Sequence, residues 1–158
     1  VAMHQLHLTE HLIDGFNSLA HVRPPLRSEQ DKQLLRQGVK EGVIDAICTH
    51  HEPLSGSAKL APFAETLPGI SAFDTYVSFG VQLVNEGLFS PLEWVEKVTL
   101  APAKVANMTE RWAQESGWVL VDPDLVWTVS KESILSHGKN TPLIDQEMRG
   151  KVIHTFIG

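Results

Sequence analysis

The sequence predicts an α/β fold in which helices alternate with buried parallel strands, followed by a β-rich end. A predicted helix over residues 28–42 runs directly into the apolar, β-branched run VIDAIC at residues 43–48, which is half of a strand–helix–strand unit. Beyond residue 117, short apolar stretches separated by turn residues replace the helical spacing. With 158 residues and 42% hydrophobic content, the chain can bury a core. We expect one domain part over residues 1–110 and a second over residues 111–158.

The first third of the chain contains one predicted strand, one long loop and one predicted helix. Residues 1–9 alternate along the chain, which favours a strand with one apolar face. Residues 10–25 show no regular period and end in two prolines, so we expect a loop. Ser28 and Asp31 form a near-capping box, which predicts that a helix begins there.

The middle of the chain is predicted to be mainly helical. A long segment over residues 49–68 precedes a mostly apolar helix at about residues 72–85. Ser90 and Pro91 predict a second helix start, with the serine as N-cap and the proline at the first helical position. A further short helix is expected over residues 101–107.

The last third is predicted to contain short strands. Residues 118–121 and 126–129 are two strand candidates, and the Asp-Pro-Asp sequence at residues 122–124 is typical of a turn between them. A helical turn is expected over residues 130–137 and a final strand over residues 151–157.

Composition excludes several classes of function. The formal charge of −6 and the pI near 5.7 argue against binding to nucleic acid or to an anionic membrane surface. A single cysteine, Cys48, fits a reducing cytoplasm, and no apolar run approaches the roughly 20 residues that span a bilayer. We therefore expect a cytoplasmic protein. The chain has no basic-then-apolar leader. It begins with Val1 and not with an initiator Met, so we expect it to be processed, truncated or incompletely described.

The histidine pair His50–His51 follows the predicted buried strand, at the end where parallel α/β folds bind ligands. Neighbouring side chains on an extended chain point in opposite directions, so one histidine could line a site while the other supports it. Alternatively, both histidines only make hydrogen bonds in a strand-end loop. His4, His7 and His11 have helical metal spacing, but the predicted strand there argues against zinc.

Arg23 precedes two prolines, and an arginine held by a stiff segment is suited to gripping a carboxylate with two hydrogen bonds. The alternative interpretation of Arg23 is an ordinary solvated loop residue.

Several stretches together resemble the later part of dihydroorotases, a family of cyclic amidohydrolases. They are VRPPLR at residues 22–27, IDAICTHHEP at residues 44–53, PGI at residues 68–70, GKNTP at residues 138–142 and GKV at residues 150–152. HVRPPLRS and AKLAPFA, at residues 21–28 and 58–64, are most similar to proteobacterial dihydroorotase-like proteins that accompany aspartate carbamoyltransferase. Many of those proteins are non-catalytic partners.

The resemblance implies the C-terminal fragment of a TIM-barrel amidohydrolase, with the last barrel strands and helices, plus C-terminal strands of a small β-sandwich. Active members use zinc to activate a water that opens the dihydroorotate ring, and the same site closes carbamoyl aspartate in biosynthesis. Their HxH pair, bridging Lys or Asp and two further His ligands lie earlier than the matched stretches. We therefore expect this chain alone to bind no zinc and to be inactive.

Two departures from the family pattern fall in one motif. Active members carry Thr-Asp-His-Ala-Pro-His after the last barrel strand, whereas this chain has His50 at the position of the Asp and Leu54 at that of the final His. In the family the Asp binds metal and shuttles a proton, and the His contacts the substrate carboxylate. A neutral histidine can bind zinc and accept a proton, so His50 stays the catalytic and metal-ligand candidate. The two changes together favour a degenerate site.

The resemblance also suggests where a substrate would bind. Several family members place Asn or Arg at the position of Arg23 to hold the substrate carboxylate. Pro68 and Gly69 match a backbone stretch that lies over the substrate ring. A pocket that binds an anion without catalysis is therefore compatible with the sequence.

We arrive at two hypotheses for the function. The first is a catalytically impaired dihydroorotase homologue of pyrimidine biosynthesis that acts as a structural partner of aspartate carbamoyltransferase. The second is an active zinc-dependent dihydroorotase with an altered metal set. An unrelated freestanding domain is disfavoured, because a closed barrel needs at least about 200 residues. Exposed barrel strands would invite association, so we expect a homo-oligomer if the chain folds alone.

Overall fold

α-Helices and a two-stranded antiparallel ribbon form the regular structure of the chain. The computed structural model describes residues 1–115 and 117–156. The helices and strands are, in chain order, α1 (Glu29–Lys40), α2 (Tyr76–Asn85), α3 (Pro91–Val98), α4 (Leu100–Val105), α5 (Thr109–Glu115), β1 (Trp118–Thr128) and β2 (Glu147–Phe156). Short 3-10 helical turns lie at Met3–Leu6, Glu10–Ile13, Ser18–Ala20, Gly56–Lys59 and Phe63–Glu65. No helix in the described ranges is long and apolar enough to cross a membrane.

Reciprocal capping fixes the start of two helices, as the sequence predicted. At α1, the Ser28 hydroxyl accepts a hydrogen bond from the backbone N–H of Asp31, and the Asp31 carboxylate accepts one from the Ser28 N–H. Ser90 and Glu93 make the same exchange at the start of α3, where Pro91 occupies the first turn. Each pair satisfies backbone donors that a helix start leaves free.

The two N-terminal strand predictions are wrong. Residues 1–9 contain a 3-10 turn, and residues 43–48 form no strand; one parallel bridge between Ala2 and Cys48 is the described pairing of the two segments. The backbone N–H groups of Ile44 and Ile47 donate instead to the carbonyls of Gly38 and Lys97. A β-strand needs a neighbouring strand to pair with along its length, and among the described residues these two segments pair at a single position. The bridge is nevertheless parallel, as an α/β arrangement requires.

The predicted helix over residues 72–85 begins later, at Tyr76. The N–H groups of Ala72 and Phe73 donate to a ring nitrogen of His51, so these residues are engaged by another segment before the helix starts. The helix predicted over residues 101–107 is present as α4.

The C-terminal ribbon differs from the predicted hairpin. Both predicted strands, residues 118–121 and 126–129, lie in or next to β1, and they pair with β2 rather than with each other. Between them the Asp122 carboxylate accepts hydrogen bonds from the N–H groups of Asp124 and Leu125, which makes an irregularity inside one strand. The predicted final strand is present as part of β2, and residue 157 lies outside the described residues.

The main hydrophobic core lies between the helices and the part of the ribbon that contains Trp127 and Met148. Its buried side chains are Met3, Leu6, Val39, Ile47, Phe79, Leu83, Phe89, Trp94, Trp127, Val129, Ile134 and Leu143. The Trp127 indole donates to the Ser78 hydroxyl and to the Gly150 carbonyl, which ties β1 and β2 to α2. A second cluster contains Ala20, Val22, Leu26, Ile70 and Ala72. The domain boundary between residues 110 and 111 and the place of this chain within a longer TIM barrel stay predictions.

We expect Gly80→Ala to destabilise the protein by at least about 2 kcal/mol, because overpacking a core forces shifts in its neighbours. A Cβ atom at Gly80 would lie 2.0 Å from Cε2 of Trp94. Chemical denaturation measures the change. Gly38→Ala in α1 is the matched control: the nearest atom there is Cδ1 of Ile44 at 3.2 Å, so the higher helix propensity of alanine offsets the contact. Equal stability of the two variants would contradict the close packing of α2 on α3.

Candidate functional site

The parallel bridge brings two histidines together. Ala2 pairs with Cys48, and two residues further along each segment are His4 and His50. Their rings meet edge to face, with centroids 5.8 Å apart. His50 has a left-handed backbone with φ 48, a conformation in which histidine, asparagine and aspartate are enriched among non-glycine residues. His50, the candidate catalytic residue, therefore lies beside His4, for which the sequence argued against a zinc site.

His51 has a different role from its neighbour. Its Nδ1 atom accepts hydrogen bonds from the backbone N–H groups of Ala72 and Phe73, both at 3.1 Å. A ring nitrogen that accepts two such bonds carries no proton, so a neutral His51 holds its proton on Nε2. His50 faces His4 while His51 supports the segment before α2, which is the division of roles that adjacent side chains suggested.

Burial keeps the inner histidines neutral. His4 is buried, and desolvation, followed by the charge of His50, lowers its pKa to about 4. His7 stacks on Phe79 with ring centroids 4.2 Å apart, and desolvation is the main cause that lowers its pKa to about 3. Near neutral pH both rings are therefore uncharged. The Nδ1 atoms of His4 and His50 have no hydrogen-bond partner among the described residues.

The donor set does not by itself make a metal centre. Across residues 1–115 and 117–156, no three His, Cys, Asp or Glu side chains converge closely enough to hold an ion. His4 and His50 supply two imidazoles, whereas a catalytic zinc site usually has three protein ligands. These residues alone do not fit zinc, and the assignment of His50 as a ligand stays a prediction.

Gly69 packs directly against the loop that follows His51. It has φ 145, and a Cβ atom there would lie 3.0 Å from Cβ of Glu52 and 3.1 Å from Cδ1 of Leu54. The Glu52 N–H donates to the Ile70 carbonyl at 2.9 Å. The segment with Pro68 and Gly69 therefore lies against the same loop as His50, and aliphatic Leu54 of that loop lies next to Gly69.

Arg23 lies at the edge of this arrangement. It is exposed, while its neighbours Val22 and Leu26 are buried in the second cluster. His21, two residues earlier, accepts a hydrogen bond from the Gly69 N–H on its carbonyl, which connects the arginine loop to Gly69. Within the described chain Arg23 makes no hydrogen bond or ion pair with His50, so the structure links the two candidates only through backbone.

Asn140 is the residue that sequence analysis missed. Its side-chain oxygen accepts a hydrogen bond from the Leu54 N–H at 2.7 Å. Its side-chain nitrogen donates to the carbonyls of Glu52 at 3.0 Å and Gly69 at 3.1 Å. Gly138 permits this approach, because a Cβ atom there would lie 2.4 Å from the Leu54 nitrogen. The available sequence signal was the Gly-Lys-Asn loop itself, whose partners are far away along the chain.

We expect His51→Ala to lower the free energy of unfolding by about 1–3 kcal/mol, because it leaves two backbone donors without their acceptor. His11→Ala is the control, since the side chain of His11 is 80% exposed, and surface changes usually stay within about 0.5 kcal/mol. Nitrogen NMR of the wild type should show the His51 proton on Nε2. A proton on Nδ1, or equal stability of the two variants, would contradict the assigned contact.

Stability should fall as the pH is lowered from about 6.5, the ordinary pKa of histidine. Folded His4 and His7 take up protons only near pH 4 and pH 3, so the unfolded chain binds more protons above those values. Each ring then removes up to about 1.4 kcal/mol per pH unit between about 6.5 and 4. Urea unfolding at several pH values measures the slope. His7→Phe should reduce it, and an unchanged slope would count against a neutral, buried His7.

Curated proteins related to this chain span its whole length. No family model matches the chain. A dihydroorotase-like protein of Pseudomonas aeruginosa is 39% identical over 160 residues, covering 99% of this chain and 38% of that relative. A dihydroorotase of Syntrophus aciditrophicus is 35% identical over 157 residues, covering 98% of this chain and 37% of that relative. The chain therefore spans less than half the length of these relatives.

Solved structures share the fold. A D-hydantoinase superposes with a TM-score of 0.85 at 21% identity, covering 99% of this chain and 37% of its own. A Saccharomyces cerevisiae dihydroorotase in complex with 5-fluoroorotic acid superposes with a TM-score of 0.78 at 14% identity, covering 100% of this chain and 43% of its own. The predicted α/β class is confirmed by these amidohydrolase structures. Over its whole length the chain is therefore similar in sequence to dihydroorotases and dihydroorotase-like proteins, and its structure fits a fragment of such a protein.

Proposed function

We propose that this protein serves pyrimidine biosynthesis as a dihydroorotase-family member with an impaired catalytic site, and that it acts as a structural partner of aspartate carbamoyltransferase. Two dihydroorotase-like relatives, from Pseudomonas aeruginosa and Pseudomonas putida, are 39% and 38% identical to it and support the family role. The impairment and the partnership rest on the chain's own residues and on the resemblance of its motifs.

The observation that carries the impairment is the identity of the residue at position 50. Active members of the family have an aspartate there, and a carboxylate brings the negative charge that relays a proton and balances a metal. His50 brings an imidazole beside buried, neutral His4, with ring centroids 5.8 Å apart. Loss of a general base typically lowers a rate by about 10²–10⁴-fold. The proton relay is the step we expect to fail.

Leu54 weakens substrate binding in the same loop. Its side chain lies against Gly69, where the family carries a histidine that contacts the substrate carboxylate. An aliphatic side chain can neither donate a hydrogen bond nor carry charge. Exposed Arg23 would remain as the anion-binding group, so we expect a substrate carboxylate to bind weakly and without turnover.

The alternative function is that of an active zinc-dependent dihydroorotase in which His50 is a metal ligand or base. The 35% identity to a dihydroorotase of Syntrophus aciditrophicus favours it, as does the unpartnered Nδ1 atom of His50 within the described residues. When bound, the metal would supply a Lewis acid that activates water. This chain would contribute His50 as a ligand of that metal, and the remaining ligands would come from elsewhere in a longer protein.

Exposed apolar side chains support a role as a partner. Phe16, Leu60, Leu92 and Leu135 are between 78% and 89% exposed. Exposed apolar side chains that lie together on a soluble protein mark contacts with other protein surfaces. The rest of a longer chain, a second copy or aspartate carbamoyltransferase could each cover some of these side chains, and we propose homo-oligomers as well as the partner complex.

The test is dihydroorotate hydrolysis by the complete protein, with and without added zinc, beside a His50→Asp, Leu54→His double variant. We expect no zinc-dependent turnover by the wild type, because both the relay carboxylate and the carboxylate contact are replaced. An active dihydroorotase measured in parallel is the positive control. Recovery of turnover in the double variant would assign the loss to these two residues. Zinc-dependent turnover by the wild type would overturn the proposed impairment in favour of the alternative.

The partnership is tested in the same preparation. The complete protein and aspartate carbamoyltransferase from the same organism should elute together in size-exclusion chromatography, with a mass by light scattering that equals a complex. Separate elution at micromolar concentrations would overturn the partnership and leave the family assignment untouched.

A further inference from the structure

A pocket that is not lined by His4 or His50 carries several positive charges. It has a volume of about 470 Å³, which lies within the range of about 300–1,000 Å³ common for small-molecule sites. Lys59, Lys131, Lys139 and His137 line it, together with apolar side chains such as Ile144. We name it the lysine cavity. No acidic side chain is among the residues that line it in the described chain.

Two of these lysines are held in place by backbone carbonyls. Lys59 is 6% exposed, and its ammonium donates to the carbonyls of His21 at 3.1 Å and Leu67 at 2.8 Å. The ammonium of Lys139 donates to the carbonyl of Ile134. An ammonium has three N–H donors, so each lysine keeps at least one for another partner. Their charges are fixed at the cavity, and carbonyl oxygens alone do not neutralise them.

The acidic groups nearby leave this positive charge incompletely balanced. Glu52 acts on Lys59 from outside the cavity, and burial remains the larger effect, which lowers the pKa of Lys59. Glu132 is exposed; hydrogen bonds to its own backbone and a neighbouring serine, and then the charges of Lys131 and Lys139, lower its pKa. Glu52 and Glu132 both act on these lysines without lining the cavity. Three lysines thus line the cavity, against two carboxylates outside its lining.

We propose that the lysine cavity binds a small organic anion, with a carboxylate or phosphate group at the lysines and an apolar part against Leu19 and Ile144. Lys131 and Lys139 supply charge-assisted donors, and the imidazole of His137 can donate a further hydrogen bond. The apolar lining favours a ligand that carries a hydrocarbon or ring portion over a bare inorganic ion. This site is separate from the proposed dihydroorotase function and does not depend on it.

The cavity shares one residue with the candidate functional site. Asn140 lines the cavity, and its side chain also holds the Leu54 N–H at 2.7 Å and the Glu52 carbonyl at 3.0 Å. An anion that contacts Lys139 would therefore be adjacent to the residue that fixes this loop. The amide resonances of Leu54 and Asn140 should report binding.

The test is an NMR titration of the complete protein with three probes: inorganic phosphate, phenyl phosphate and benzoate. We expect the two aromatic anions to bind more tightly than inorganic phosphate, with shifts concentrated at residues that line the cavity and at Leu54. A stronger effect of phenyl phosphate would identify a phosphate ligand, and a stronger effect of benzoate a carboxylate ligand. Equal affinity for inorganic phosphate and phenyl phosphate would overturn the apolar part of the proposal.

Two charge-reversal variants distinguish binding in the lysine cavity from attraction to positive charge elsewhere on the surface. Lys131→Glu should weaken binding of phenyl phosphate about tenfold at low ionic strength, because it replaces an attraction with a repulsion. Lys104→Glu, on α4 and outside the cavity, should change it by less than about twofold. Both positions are exposed, so both variants should keep the wild-type amide spectrum away from the change. Equal weakening in the two variants, or shifts spread over surface lysines, would mean adventitious ion binding only and would overturn the site.

Discussion

The side chain of Asn140 is the contact on which the candidate site depends. It uses one acceptor and both donors on backbone groups of Leu54, Glu52 and Gly69, while it is itself 3% exposed. Each such hydrogen bond contributes about 0.5–1.5 kcal/mol, and a buried group left without its partner costs more. Two loops that belong to the helical part are thus joined by an amide from the C-terminal part. The helices alone would leave the loop after His51 without its main support.

Because His51 and Asn140 hold the loop, its backbone shape does not depend on the side chain at position 50. His51 anchors the loop on one side through Ala72 and Phe73, and Asn140 anchors it on the other. The left-handed backbone at position 50 is one that histidine, asparagine and aspartate adopt more often than other non-glycine residues. An imidazole and a carboxylate can therefore occupy this position on the same backbone. The proposed loss of catalysis is thus compatible with retention of the fold.

Structure that depends on residues a few positions apart could be predicted from the sequence, whereas structure that depends on a distant partner could not. The capping boxes at Ser28 and Ser90 need only residues three positions away, and both were predicted. The strands expected over residues 1–9 and 43–48 needed neighbours along their whole length, and the described chain supplies one bridge. Asn140 could not be assigned because its partners Leu54 and Glu52 lie 86 and 88 positions away. Family motifs, which carry such distant information implicitly, identified the loop that contains His50.

The separation between Leu54 and Asn140 also sets an order of events during synthesis. These residues are 86 positions apart, so at about 5–20 residues per second the ribosome needs roughly 4–17 seconds to make the second after the first. During that interval the helices can form, but the loop after His51 lacks the amide that holds it. The backbone polar groups of this loop remain exposed to water and to chaperones until then. The loop after His51 therefore completes its side-chain hydrogen bonds only after Asn140 has been made.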